Sequence, residues 1–105
     1  MPTVQLTPLS ELPEGSVRAF ALGGRRIALF HAQGALYALD DTCSHADASL
    51  SSGEFDPDEL CVECPLHGSL FDLRTGRPRT LPAFEPVATY HTFVQDGMVF
   101  VEYID

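Results

Sequence analysis

Two short segments, Cys43-Ser44-His45 and Cys64-Pro65-Leu66-His67-Gly68, hold the residues best equipped for chemistry in this chain. Each offers one thiolate and one imidazole, and 18 residues separate His45 from Cys64. Two centres can be built from two sulfur and two nitrogen donors. One is a tetrahedral structural zinc site. The other is a two-iron, two-sulfide cluster with both cysteines on one iron and both histidines on the other. In zinc fingers the two cysteines usually share one knuckle and the two histidines another. Here each segment gives one of each kind. A single ion does not require that arrangement, whereas a binuclear centre accounts for it, because two loops approaching together each reach both metals.

The remaining metal-type residues carry weaker signals. Cys61 precedes Cys64 by three positions, and in isolation Cys61-Val62-Glu63-Cys64 could be a redox dithiol. The run 59-ELCVEC-64 reads as a strand entering the second loop, so Cys61 is expected to be a small buried apolar side chain. His31 and His91 lie in strand-like runs with no ligand-spaced partner and are expected to be ordinary surface or half-buried residues. Gly68 permits close backbone approach, and Pro65 stiffens its loop. The acidic run 54-EFDPDE-59 is expected to be a solvated loop, with docking as the second reading.

The elements that must position these segments are strands. Ser16 to Leu22, Arg26 to Ala32 and Ala35 to Leu39 are short apolar or alternating runs, divided by Gly23-Gly24 and Gln33-Gly34. Val87 to Gln95 and Met98 to Tyr103 flank Asp96-Gly97, a strong hairpin signal because both turn positions tolerate positive φ. Pro8 to Pro13 has room for one helical turn at most. The expected fold is therefore all-β, an antiparallel sandwich or barrel. Between about residues 41 and 86 the chain becomes rich in Ser, Asp, Gly and Pro. A loop-rich insert of that size needs something to hold it, and a metal centre would do so, since its binding energy becomes folding energy.

Bulk properties narrow the function. The chain has 105 residues, enough for one domain with one modest core. Its net charge is −9, with six Arg and no Lys. That argues against nucleic-acid binding, which needs a cationic surface, and suits solubility or docking to a basic patch. No apolar run approaches the length of a membrane span. The start, MPTVQLTPLSEL, lacks the features of a signal peptide. A cytoplasmic location is expected, and three cysteines in a reducing compartment fit metal ligands or core residues better than disulfides.

The two segments resemble the cluster-binding boxes of the Rieske iron–sulfur family. The likeness continues through 70-LFDLRTGRPRTLPAFEPVATY-90 and the flanking strands, so it spans nearly the whole chain. A chain this short is similar to the stand-alone ferredoxins of bacterial ring-hydroxylating oxygenase systems and, less closely, to the small subunit of assimilatory nitrite reductases. The resemblance implies a basal β part, about residues 1–40 and 87–105, and a cluster-binding subdomain, about 41–86. It implies one [2Fe-2S] cluster, with Cys43 and Cys64 on one iron and His45 and His67 on the other. It also implies a one-electron carrier working between a flavin-containing reductase and a terminal oxygenase; no nucleophile–base pair, phosphate loop or substrate pocket is legible, so a monomer without turnover of its own is expected. High-potential Rieske proteins carry an extra cysteine in each box, joined as a disulfide. Ala48 and Leu66 stand at those positions here. Ser69 matches a serine whose hydroxyl can bond a cluster sulfide, and Phe71 replaces a tyrosine. A potential in the lower part of the Rieske span of about −150 to +300 mV is expected.

Overall fold

The computed structural model describes residues 3–43, 48–66, 68–81, 83 and 85–102. Among the described residues ten strands occur in chain order: β1 (Thr3–Pro8), β2 (Val17–Leu22), β3 (Arg25–Ala32), β4 (Ala35–Asp40), β5 (Phe55–Asp56), β6 (Cys61–Glu63), β7 (Leu70–Asp72), β8 (Thr89–Tyr90), β9 (Thr92–Gln95) and β10 (Met98–Glu102). They form three antiparallel sheets, ordered β1-β10-β9, β2-β3-β4-β8 and β5-β6-β7. Helix among the described residues is limited to two 3-10 turns, Leu9–Glu11 and Leu50–Ser52.

β3 explains how the sheets stack. Its run Ile27-Ala28-Leu29-Phe30 is fully buried on both faces rather than alternating, the mark of a strand covered on two sides. Ile27 and Leu29 join Leu12, Ala38, Val99 and Val101 in one core, between the four-stranded sheet and β10. Ala28 and Phe30 join Leu39, Leu50, Val62, Phe71 and Leu73 in the other. Each buried Leu, Ile or Phe contributes roughly 1.5–3 kcal/mol relative to exposure. β3 thus anchors both halves of the molecule with one apolar tetrapeptide.

The turns follow the sequence. Gln33-Gly34 and Asp96-Gly97 both take positive φ, 52° and 74° for the first pair and 52° and 77° for the second. These are the conformations of two-residue hairpins, and Gln95 pairs with Met98 across the second. Two features differ from the sequence reading. One is β1, where the sequence reading named no strand although Val4 and Leu6 alternate with Thr3, Gln5 and Thr7. Its Val4 faces Val101 across the ladder, and Leu6 packs on the same core. The other is the run Val87 to Gln95, which is not one strand but two. Thr89 and Tyr90 pair with Leu39 and Ala38 of β4, while Thr92 to Gln95 pair with β10. The chain changes sheet at His91, so a continuous propensity signal conceals a change of partner.

The third sheet sits where the loop-rich insert was expected. Gly53 ends its approach turn, and a Cβ there would lie 1.7 Å from the Glu63 carbonyl oxygen. Only glycine lets the two backbones meet so closely.

Candidate metal centre

The first loop leaves the end of β4. Thr42 and Ser49 form an isolated antiparallel bridge, and the Cys43 N–H donates to the Ala48 carbonyl at 2.9 Å. The second loop leaves the end of β6. There the Cys64 N–H donates to the Ser69 carbonyl at 2.8 Å, and the Gly68 N–H donates to the Cys64 carbonyl at 2.9 Å. Gly68 adopts φ 75°, which its lack of a Cβ permits. The two loops are thus closed in the same way, each by a cysteine N–H bonded to the carbonyl five residues on. Both cysteines are buried, Cys43 4% and Cys64 0% exposed, and both belong to one core cluster with Leu50, Phe71 and Ala83. His45 and His67 lie outside the described residues.

A buried carboxylate underlies the first loop. The Asp41 side chain is 1% exposed. Its Oδ1 accepts the Ser51 N–H at 2.8 Å, its Oδ2 accepts Arg26 Nε–H at 3.3 Å, and its carbonyl accepts the Leu50 N–H at 2.6 Å. Burial pushes this carboxyl up. Hydrogen bonds from Ser51, Arg26 and Ser49 outweigh that and hold it below the usual carboxylate value. Sequence reasoning missed Asp41. Its only signal is its place after Asp40 and two before Cys43, and spacing alone does not separate a buried acid from a solvated one.

Ser69 supports the second loop. It is fully buried, and its Oγ accepts the Ala83 N–H at 3.0 Å. That bond uses the oxygen as acceptor, so the hydroxyl proton is still there to donate. A turn built by Asp72 follows. Its Oδ1 accepts the Arg74 N–H at 2.8 Å and the Thr75 N–H at 3.3 Å, and its Oδ2 accepts Arg79 Nη2–H at 2.8 Å. Arg79 Nη2 also donates to the Glu59 carbonyl at 2.9 Å, which ties this turn back to the start of β6. Burial pushes the Asp72 carboxyl up, but the bonds from Arg79, Arg74 and Thr75 prevail and hold it far below its ordinary value.

The weaker candidates fall out by geometry. Val62 points into the core, so its neighbours Cys61 and Glu63 point the other way. Cys61 is buried, and burial pushes its thiol up. It floors an open groove of about 410 Å³ rimmed by Glu54, Asp56, Glu59 and Glu63. The acidic side chains of this run are exposed, as expected of a solvated loop, and several of them also border this groove. His31 is half-buried, with Nδ1 2.7 Å from the Leu12 carbonyl oxygen, and His91 is exposed. Leu66 in the second loop is 61% exposed, and Leu81 is 79% exposed.

Among the described residues the chain is all-β, with two cysteine-closed loops over one shared core. Residues 3–91 match the Rieske [2Fe-2S] domain. The 3-phenylpropionate/cinnamic acid dioxygenase ferredoxin subunit of Photorhabdus laumondii is 45% identical over 93 residues, which cover 89% of this chain and 87% of that protein. The ferredoxin of carbazole 1,9a-dioxygenase from Nocardioides aromaticivorans superposes with a TM-score of 0.91 at 36% identity, covering 96% of this chain and 97% of the other. A chain from the complex of reduced oxygenase and oxidized ferredoxin in carbazole 1,9a-dioxygenase aligns with a TM-score of 0.87 at 32% identity, over 94% of this chain and 91% of that one. This chain belongs to the Rieske [2Fe-2S] domain family, and the family carries one [2Fe-2S] cluster per domain.

Proposed function

We propose that this chain is a Rieske-type ferredoxin, a one-electron carrier between a flavin-containing reductase and a terminal oxygenase. In this reading Cys43 and Cys64 hold one iron of the cluster, and His45 and His67 hold the other. Bound there, the cluster accepts and releases a single electron, and two imidazoles in place of two thiolates make it less negative and easier to reduce. The observation that carries the reading is the paired loop closure. Two buried cysteines start loops with the same five-residue hydrogen-bond register, and a histidine lies inside each loop. The thiols are shielded from water, as a sulfur-ligated cluster requires, and they share one core.

The chain divides in this reading into a basal part, about residues 1–40 and 87–105, and a cluster-binding part, about 41–86. The β5-β6-β7 sheet, contained in residues 55–72, supports the division. Exposed Leu66 immediately precedes His67 in the chain, and exposed Leu81 lies beyond the second loop. Apolar side chains at an electron exit suit brief contact with a partner. We read the chain as a cytoplasmic monomer that leaves substrate chemistry to the oxygenase. Among the described residues no helix is long and apolar enough to cross a membrane, and the named relatives are ferredoxin components of dioxygenase systems.

The test is metal and sulfide analysis of the purified protein, followed by voltammetry. Two irons and two labile sulfides per chain are expected, with a reversible one-electron wave in the lower part of the Rieske span. Cys64→Ser should lose the cluster and Cys61→Ser should keep it. Zinc without sulfide would overturn the reading. A wave at about +300 mV, the top of the Rieske span, would replace the oxygenase role with a respiratory one. Gel filtration with and without partners separates a dissociating carrier from the permanent small subunit of a nitrite reductase.

A further inference from the structure

We propose that Asp41 is a positioning residue for the metal centre: its buried carboxylate both closes the first cysteine loop and holds the reduction potential down. The inference rests on reading Cys43 as a cluster ligand.

The closure follows from the hydrogen bonds. The chain from Thr42 to Ser49 makes an excursion of eight residues that contains Cys43. Its far end returns as the 3-10 turn Leu50–Ser52. Asp41 receives that returning end at two points: its carbonyl takes the Leu50 N–H, and its Oδ1 takes the Ser51 N–H. On the other side, the Asp41 N–H donates to the Arg26 carbonyl at 2.9 Å, and its Oδ2 takes Arg26 Nε–H. Asp41 therefore fastens the loop to β3, the strand that anchors both cores. The 3-10 turn has no side-chain cap of its own at Ser49, so the Asp41 carboxylate takes the Ser51 N–H while its carbonyl takes the Leu50 N–H.

The potential follows from an asymmetry of burial. The Asp41 side chain is 1% exposed, while its ionic partner Arg26 is 57% exposed. Water screens the guanidinium more than the carboxylate, so it offsets the buried charge only in part. The two do not cancel in the interior. Two residues from Cys43 there remains a net negative field, which disfavours the extra electron of a reduced centre. Neither effect needs a change in a ligand.

The test is a pair of neutralising substitutions with opposite expected signs. Asp41→Asn keeps the size and an oxygen for the Ser51 N–H but removes the charge, so the potential should rise. Arg26→Gln removes only the exposed counter-charge, so the potential should fall. Asp41→Ala removes both roles and should lose iron to a chelator several-fold faster than wild type. Potentials are read by voltammetry, and the integrity of the centre is read from iron and sulfide content and the electron paramagnetic resonance spectrum. Opposite shifts at full iron content support the proposal. An unmoved potential in Asp41→Asn, or a shift of the same sign in both variants, overturns it. If Asp41→Asn fails to load iron, Arg26→Gln decides alone, and an unmoved or raised potential there is a refutation. Wild-type protein without iron and sulfide would overturn the reading of the site itself, whereas a normal wild-type centre with unmoved variants overturns only this role for Asp41.

Discussion

At the scale of single residues, the chemistry turns on which side chains beside the cysteines can donate a proton. Ser69 is the clearest. It is fully buried, its carbonyl closes the second loop onto Cys64, and its Oγ is held by the Ala83 N–H. A hydroxyl fixed through its oxygen keeps its proton for another acceptor, and hydrogen bonds to cluster sulfurs stabilise the reduced state. Phe71, two residues on, is buried and has no hydroxyl to add. Replacing Ser69 with Ala should therefore lower the potential at unchanged iron content, and an unmoved potential would mean that its hydroxyl does not tune the centre. The cost in stability should be about 1–2 kcal/mol, because the buried Ala83 N–H loses its acceptor, and this is readable as a lower denaturation midpoint in urea. The residue scale is also where the sequence was most informative. Cysteine and histidine at ligand spacing have few other uses, so the candidate donors stood out. Asp41 did not, because a buried carboxylate and a solvated one are written with the same letter, and only the fold separates them.

At the scale of elements, the loops are held by two devices that can be removed one at a time. The first is the backbone crossing at Gly53. A methyl group there would lie 1.7 Å from the Glu63 oxygen, which is backbone and has little room to give. Gly53→Ala should destabilise the protein by at least about 2 kcal/mol and weaken cluster retention, since Glu63 leads directly into Cys64. An unaltered urea midpoint would show that the crossing yields. The second device is the Asp72 turn with its Arg79 tie to β6. The folded Asp72 carboxyl lies below its unfolded value of about 3.9. Its stabilisation is therefore complete well above that pH and is lost as pH falls through the folded value. Asp72→Asn should cost about 1–2 kcal/mol near pH 7, and the gap from wild type should narrow as the pH approaches 3. A gap that stays constant would mean that the charge contributes nothing. Element boundaries were partly legible in the sequence. The Asp96-Gly97 hairpin and the buried run of β3 were, because turn chemistry and apolar runs are local signals. The exchange of sheets at His91 and the pairing of β1 with β10 were not. Which strand a segment joins depends on distant partners, such as Leu39 with Thr89 and Thr3 with Glu102.

At the scale of the whole molecule, the two cores should differ in their dependence on metal if Cys43 and Cys64 are ligands. One contains Leu12, Ile27, Leu29, Ala38, Val99 and Val101 and no candidate ligand. The other contains Cys43 and Cys64 along with Phe30, Leu50, Val62 and Phe71. With metal bound, its binding energy is shared with the second core, where the thiols are part of the packing. Without metal, that energy is gone from both loops, and the β5-β6-β7 sheet beside them consists of strands of only two or three residues. Sheets that short are not stable by themselves. Removing iron with a chelator under reducing conditions should therefore melt one side of the molecule and spare the other. In hydrogen exchange followed by mass spectrometry, amides of residues 61–72 should lose protection in the apoprotein, whereas those of β9 and β10 should keep most of theirs. β3 should also keep its protection, because its ladder to β2 and β4 persists even where Phe30 faces the cysteine core. If protection is lost uniformly, the two cores form one cooperative unit and metal stabilises the entire fold. If none is lost, the loops hold without metal, and the two cysteines contribute packing to the second core rather than the energy that keeps it closed.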